Sequence, residues 1–362
     1  MAIVTSLCVD TAGIPASVYP QLLDVGAHER RRVYWQCTVV FFATSVRCNP
    51  GVTHLFYTND EAPAYWEGTD YRAFLLKLGV QIRPLAFEEF CPPPAFGTEF
   101  RNAFYKLEVL RELARPEAEA GSILLDSDCV WTRPVPALLE LLRQPDTLLL
   151  LDAEPDTGPD TKVHGLSRRD IGHLYRQLDP AYPVAVPRHY GGELLGGSRQ
   201  RLAEVAAELQ AFWTMVLRDY PTAAPRFASG RSLFDGDEYL TSFVYNRLVR
   251  PGTDASPFIR RIWTSYRKTD VRATDIQLPI WHLPNEKNQG LPILCRRVLD
   301  LHSAFWHTAP TELAAYLGRF LGVPRPLWHP QRLLILARKL PRVLVVLRRL
   351  LSPQPRLTLS PG

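Results

Sequence analysis

The chain of 362 residues has little that marks a secreted, spanning or repetitive protein. Its six cysteines (Cys8, Cys37, Cys48, Cys91, Cys129 and Cys295) form no CxxC pair and are too sparse for a small disulfide scaffold. Reduced, partly buried thiols of a cytosolic protein are expected, and no zinc site. No window holds the roughly 18 uninterrupted apolar residues that a spanning helix requires. The first ten residues, MAIVTSLCVD, lack a basic segment, and their apolar stretch is broken by Asp10. They are expected to form a first strand and not a signal peptide. No internal repeat is present, and the 32 prolines are scattered through loops. A hydrophobic fraction of 46% with 22% charged residues excludes disorder on a large scale.

Acidic residues are missing from one region altogether. From residue 322 onward the chain has eight Lys/Arg and no Asp or Glu, leaving 34 basic against 37 acidic residues in the rest. The net charge of +5 therefore belongs to the tail, and a nucleic-acid-binding surface over the main body is excluded. Residues 331–351 read QRLLILARKLPRVLVVLRRLL. On a helical projection Arg338, Arg342 and Arg349 form one stripe opposite Leu333, Leu336, Leu340, Val343 and Leu347, with an interruption at Pro341. A basic amphipathic helix of this kind suits the surface of an anionic membrane, each Lys/Arg adding about 1 kcal/mol. The alternative is a helix packed on the protein's own core or on a partner. The expected division is one unit over residues 1–321 and a tail over 322–362.

Short apolar strands alternate with helical patterns in the first half. Residues 3–9, 53–58, 81–87 and 122–125 read as strands, and 30–47, 71–78 and 101–114 as helices, the first ended by Asn49-Pro50-Gly51. This alternation predicts an α/β fold with a mostly parallel sheet covered by helices. In the second half, 147–151, 259–266 and 277–283 read as strands, with helices at 199–217 and 237–249.

One segment carries chemistry on its face. Ser122-Ile123-Leu124-Leu125-Asp126-Ser127-Asp128 is a buried strand running into two carboxylates spaced two apart. A period of two projects both side chains to one side. In open α/β sheets ligands bind beyond the C-terminal strand ends, where these acids fall. Paired carboxylates repel unless a cation joins them, and Mg²⁺ or Mn²⁺ suits such oxygens together with a substrate diphosphate. A solvated Asp/Ser turn is the bland alternative.

Leu124-Leu125-Asp126-Ser127-Asp128-Cys129-Val130 resembles the DxD segment of GT-A glycosyltransferases. The resemblance implies a Rossmann-like GT-A fold in which Asp126 and Asp128 hold the metal–diphosphate of a nucleotide sugar. Phe100-Arg101-Asn102-Ala103-Phe104-Tyr105-Lys106 is similar to the basic helix that precedes the DxD, so Arg101 or Lys106 would touch the nucleotide or its phosphates. Ile280-Trp281-His282-Leu283-Pro284-Asn285-Glu286-Lys287 resembles the late strand that gives some retaining members a histidine metal ligand and a phosphate-gripping lysine. It implies His282 and Lys287 in those roles, although HxPxxK stands here where the glycogenin-like enzymes have HxxGxxK. The Gly-rich Tyr190-Gly191-Gly192-Glu193-Leu194-Leu195-Gly196-Gly197 resembles an acceptor-side strand and turn. Asp237 and Glu238, opening a helix, are candidates for acceptor contact or general-base work, although acids also favour a helix start for its dipole alone. Thr5, at the end of the first strand, is expected near the base.

Together these imply a hexosyltransferase dependent on Mn²⁺ or Mg²⁺. It would act on a nucleoside-diphosphate sugar (a UDP-sugar foremost) and a glycan or lipid-linked acceptor. Its place would be the cytoplasm, peripherally at the inner face of the cell membrane. Two rivals are a nucleotidyltransferase, whose Gly-rich N-terminal signature is lacking, and a non-catalytic, membrane-docked nucleotide-sugar-binding protein.

Overall fold

Ala2–Leu7 (β1) is buried along almost its whole length, as a strand with parallel neighbours on both sides must be. The computed structural model describes residues 1–325, apart from 11, 12, 14, 20, 21, 23, 24, 98, 154, 156, 163, 164, 227–231, 233 and 266–268. The amphipathic segment expected at residues 331–351 lies outside the described residues.

After β1 come Ala27–Cys48 (α1), Thr53–Thr58 (β2), the two-residue pair Tyr65–Trp66 (β3) and Thr69–Asp70 (β4), Tyr71–Lys77 (α2) and Gln81–Pro84 (β5). Tyr105–Leu113 (α3), Gly121–Leu125 (β6), Cys129–Trp131 (β7), Pro136–Arg143 (α4), Leu148–Leu150 (β8) and Arg168–Leu178 (α5) follow. Then come Leu194–Ser198 (β9), Arg199–Asp219 (α6), Asp237–Tyr245 (α7), Thr253–Asp254 (β10), Ile259–Arg261 (β11) and Ile280–His282 (β12). Gly290–Leu299 (α8), Ala304–His307 (α9) and Leu313–Leu321 (α10) close the described chain.

Seven strands form the central sheet in the order β10-β8-β9-β6-β1-β2-β5. Only β9 runs against the others, pairing antiparallel with β6 and β8. The strand order reverses at β1, which has β2 on one side and β6 on the other. A crevice opens beyond the C-terminal ends of β1 and β6, the place where α/β sheets bind ligands.

Alternate residues of the central strands feed two cores. Ile3, Phe56, Ile123 and Leu125 pack on the face covered by α1, while Ala2, Val4, Leu55 and Leu124 pack on the face of α3 and α6. Helix α1 is buried from Trp35 to Ser45, being enclosed by the sheet, β7 and α8. It ends before Gly51, whose φ of +79° a side chain would strain. The chain is thus an α/β protein with a mostly parallel sheet flanked by helices. No helix among the described residues is long and apolar enough to cross a membrane. All six cysteines are free thiols.

Several boundaries differ from expectation. Strand β5 stops at Pro84, three residues early, where its partner β2 also ends at Thr58, and beyond it the Glu108 carboxylate accepts from Glu88 N and Phe90 N. Residues 101–104 form a 3-10 turn before α3, and 273–277 form another before β12. Strand β11 ends at Arg261, and α7 ends at Tyr245, where the Asn246 amide caps Ser242 O. Helices α4, α5 and α8–α10 go beyond the elements expected from the sequence.

Candidate functional site

Strand β6 delivers Asp126 and Asp128 to the crevice, and a second small sheet completes the cluster. Strand β7 starts one residue after Asp128 and pairs antiparallel with β12, placing His282 opposite Cys129. Leu283 N donates to Asp128 O at 3.1 Å, which fixes β12 against the acidic turn. His282 Nε2 then lies 3.4 Å from Asp128 Oδ2 and 3.7 Å from Asp126 Oδ2. These three side chains each offer a ligand atom within 4.8 Å of the others. They are the group with metal-holding spacing among the described residues, and it contains no cysteine.

Asp128 is fully buried, yet neither of its carboxylate oxygens makes a well-aligned hydrogen bond. Lys287 Nζ is 2.8 Å from Oδ2, as an ion pair, and also faces the Tyr34 ring at 5.7 Å. Burial favours the neutral acid, but Lys287 and His282 outweigh it and hold the Asp128 carboxyl well below the usual carboxylate range. Burial likewise opposes the imidazolium of His282, and Asp128 with Glu193 overcomes it, pushing the ring up to about 9. Under-coordinated buried oxygens are costly unless a cation takes them. Two carboxylates and an imidazole fit Mn²⁺, or Mg²⁺ with fewer nitrogen contacts.

Lys106, on the first turn of α3, stands on the other side of Asp126. Its Nζ is 3.0 Å from Asp126 Oδ1 and 3.0 Å from Asp237 Oδ2, and donates to Gly192 O at 2.6 Å. Two of its N–H groups are donated, to Asp126 and to Gly192, while Asp237 is held as an ion pair without a well-aligned hydrogen bond. Lys106 therefore holds the two carboxylates together, whereas Lys287 pairs with Asp128 alone. Gly192 makes this approach possible: a Cβ there would stand 2.7 Å from Asp237 Oδ2 and 3.2 Å from Lys106 Nζ. Burial raises the Asp237 carboxyl to about 6, only partly offset by Lys106.

Glu238, next on α7, belongs to a separate ion network. Arg261 reaches both Glu238 and Glu193, its Nε lying 3.1 Å from Glu193 Oε1. His189 Nε2 is 3.3 Å from Glu238 Oε2, and its ring stacks on Tyr239 with 5.2 Å between centroids. Glu193 Oε1 is 3.4 Å from His282 Nδ1, so this network touches the back of the metal-type cluster. Neither Glu193 nor Arg261 was singled out from the sequence. Glu193 sat inside the Gly-rich segment already noted, whereas Arg261 carried no local signal at all.

The crevice is lined by Ser6 and Leu7 of β1, by Cys8 after it, by Tyr34, Phe100 and Trp263, and by the charged groups above except Glu193 and His189. Two expected residues are absent from it. Thr5 is fully buried one position too deep, its hydroxyl donated to Leu125 O at 2.7 Å. Arg101 is buried and turned away, and its guanidinium binds Pro92 O, Pro93 O and Gly97 O, clamping the Pro-rich loop. Asp126, Asp128, Lys106, His282, Lys287, Asp237 and Glu238 all line the crevice. In the second half of the Gly-rich segment, Gly196 and Gly197 lie within β9 and not in a turn. A Cβ on Gly197 would meet Thr147 O at 2.5 Å, so close strand packing explains that glycine. Compared with known proteins, the chain matches no family model, and no curated protein matches it.

Proposed function

We propose that the chain is a GT-A-type glycosyltransferase that moves a sugar from a nucleoside-diphosphate sugar to a glycan or lipid-linked acceptor. The observation that carries this reading is the convergence of Asp126, Asp128 and His282, with Lys287 beside them, at the switch point of a mostly parallel sheet. A nucleotide fits the β1 end of the crevice, between Ser6, Cys8 and Tyr34. The acceptor fits the α7 end, near Asp237, Glu238 and Trp263.

Asp126, Asp128 and His282 would hold Mn²⁺ or Mg²⁺. Such an ion, when bound, neutralises charge on a departing nucleoside diphosphate. Lys287, with N–H groups to spare, supplies a point charge for the same phosphates. Asp237, pushed up to about 6, lines the crevice and is the candidate general base toward an acceptor hydroxyl. The basic tail supports an acceptor at the cytoplasmic face of a membrane.

The test is a thermal-shift and hydrolysis screen against common nucleoside-diphosphate sugars, with Mn²⁺ present or chelated. Metal-dependent stabilisation and slow hydrolysis of one donor, both lost in Asp128→Asn, are expected. Binding of a donor with no turnover under any condition would favour the non-catalytic reading. No response to any donor would overturn both.

A further inference from the structure

We infer that Glu193, braced by Arg261, is the positioning residue that orients His282 so that its Nε2 faces Asp126 and Asp128. The inference rests on the metal reading of that cluster given above, and it concerns a residue pair with no expected part in it.

The small three-stranded sheet sets up the arrangement. Strand β11 pairs parallel with β12, so Arg261 stands beside His282, and His282 in turn stands opposite Cys129. Neighbours in register on one sheet project to the same face. Glu193 approaches from the main sheet, one residue before β9, where its carbonyl accepts Asp126 N at 3.1 Å. One residue thus ties the backbone of the acidic turn and the back of the imidazole together.

The carboxylate of Glu193 is almost wholly enclosed. Arg261 engages both of its oxygens, and Oε1 also lies 3.4 Å from His282 Nδ1. His282 Nδ1 is buried and makes no hydrogen bond, so at 3.4 Å the contact is loose. Gly191 packs on the same carboxylate, where a Cβ would stand 2.7 Å from Cδ. Gly191 and Arg261 thus confine the Glu193 carboxylate beside the ring.

A histidine that ligates through Nε2 needs its proton on Nδ1 and a partner for it; a carboxylate in that place fixes both tautomer and ring plane. Contacts of this kind are often long before the ligand binds and tighten once it does. Arg261 pairs with both oxygens of Glu193, and Glu238, sharing its Nη2 with Glu193, holds Arg261 in turn.

The experiment is a titration with Mn²⁺ alone, following the free-ion signal by electron paramagnetic resonance, on wild-type protein, Glu193→Gln and Arg261→Lys. Unfolding temperatures in chelator are recorded in parallel. Glu193→Gln is expected to raise the Mn²⁺ Kd about 10- to 100-fold. Arg261→Lys should raise it by a smaller factor, since the lysine keeps the charge but not the fork. A lowered unfolding temperature with an unchanged Kd would overturn the inference and leave Glu193 a purely structural partner of Arg261. If Glu193→Gln does not fold, Arg261→Lys carries the test, and an unchanged Kd there overturns the inference as well. Wild-type protein that binds no Mn²⁺ would overturn the metal reading itself, an outcome distinct from equal binding by all three proteins.

Discussion

His282 stands opposite Cys129 across the β12–β7 pairing, which brings residues 153 positions apart in sequence into one register and sets the imidazole against Asp128. The pairing explains how two sheets share one site: β6 of the large sheet ends in the acids, and β7 of the small sheet begins as they finish. The charges gathered there are mutually dependent, and that dependence can be measured.

Among the described residues Lys106 is the cation shared by the partly exposed Asp126 and the buried Asp237, so its removal leaves the buried Asp237 carboxylate beside a second acid. Lys106→Met should destabilise the fold by about 3 kcal/mol at pH 8, within the range for breaking a buried pair. Adding Asp237→Asn should restore more than 1 kcal/mol, roughly the cost of a lone buried charge. Urea unfolding of the two single variants and the double variant checks this.

Lys287 differs because it spends one contact on Asp128 and keeps donors for a ligand. Lys287→Met should weaken UDP at least about tenfold, the scale of one charge-assisted contact. The loss for UMP, which lacks the second phosphate, should be smaller. Calorimetric titration of both nucleotides in Mn²⁺ decides it; equal losses would mean that the lysine does not read the diphosphate.

Burial holds the Asp237 carboxyl at about 6, above its ordinary range. A raised carboxyl contributes stability below its unfolded pKa and loses it as pH rises toward 6. The wild type should therefore lose about 2 kcal/mol relative to Asp237→Asn between pH 4 and 7, by linkage. If Asp237 is the base, the transfer rate should also climb with pH through about 6, a limb that Asp237→Asn abolishes. Unfolding and rate profiles over the same buffers test both.

Far from the site, burial lowers His54 to about 4, with Ser45 Oγ 2.9 Å from its Nε2. A depressed histidine is stable as the neutral ring, so its contribution is full above the unfolded value near 6.5 and is lost as pH falls toward 4. The cost is about 3 kcal/mol by the same linkage. Chemical unfolding of wild type and His54→Gln from pH 4 to 7.5 should show curves that diverge only below about 6.5. Parallel curves would mean that the ring is not held neutral.

The acids were legible because their signal is local. An almost wholly apolar strand that stops at Asp126-Ser127-Asp128 says in seven residues that a carboxylate pair meets the end of a parallel sheet. The strand–helix alternation foretold that sheet for the same reason, since buried parallel strands must be apolar on both faces. Lys287 and His282 were nameable as residue types in order along the chain.

Partners were a different matter. Arg101 and Lys106 are five apart, roughly 140° around a helix, and the 3-10 turn before α3 shifts the phase again. Only Lys106 can then face the crevice, and only the fold reveals that Asp126, Asp237 and Gly192 surround its ammonium. Thr5 failed for depth, because the sheet's edge at the crevice falls at Ser6 and beyond. Arg261 left no trace in the sequence, since its meaning lies in a strand register that puts it beside His282 and against Glu193. Sequence alone determined which strand ends in acid, because burial writes itself into neighbouring residues. The tertiary structure decided which charges face each other, because ion pairs form through space between segments that share no local pattern.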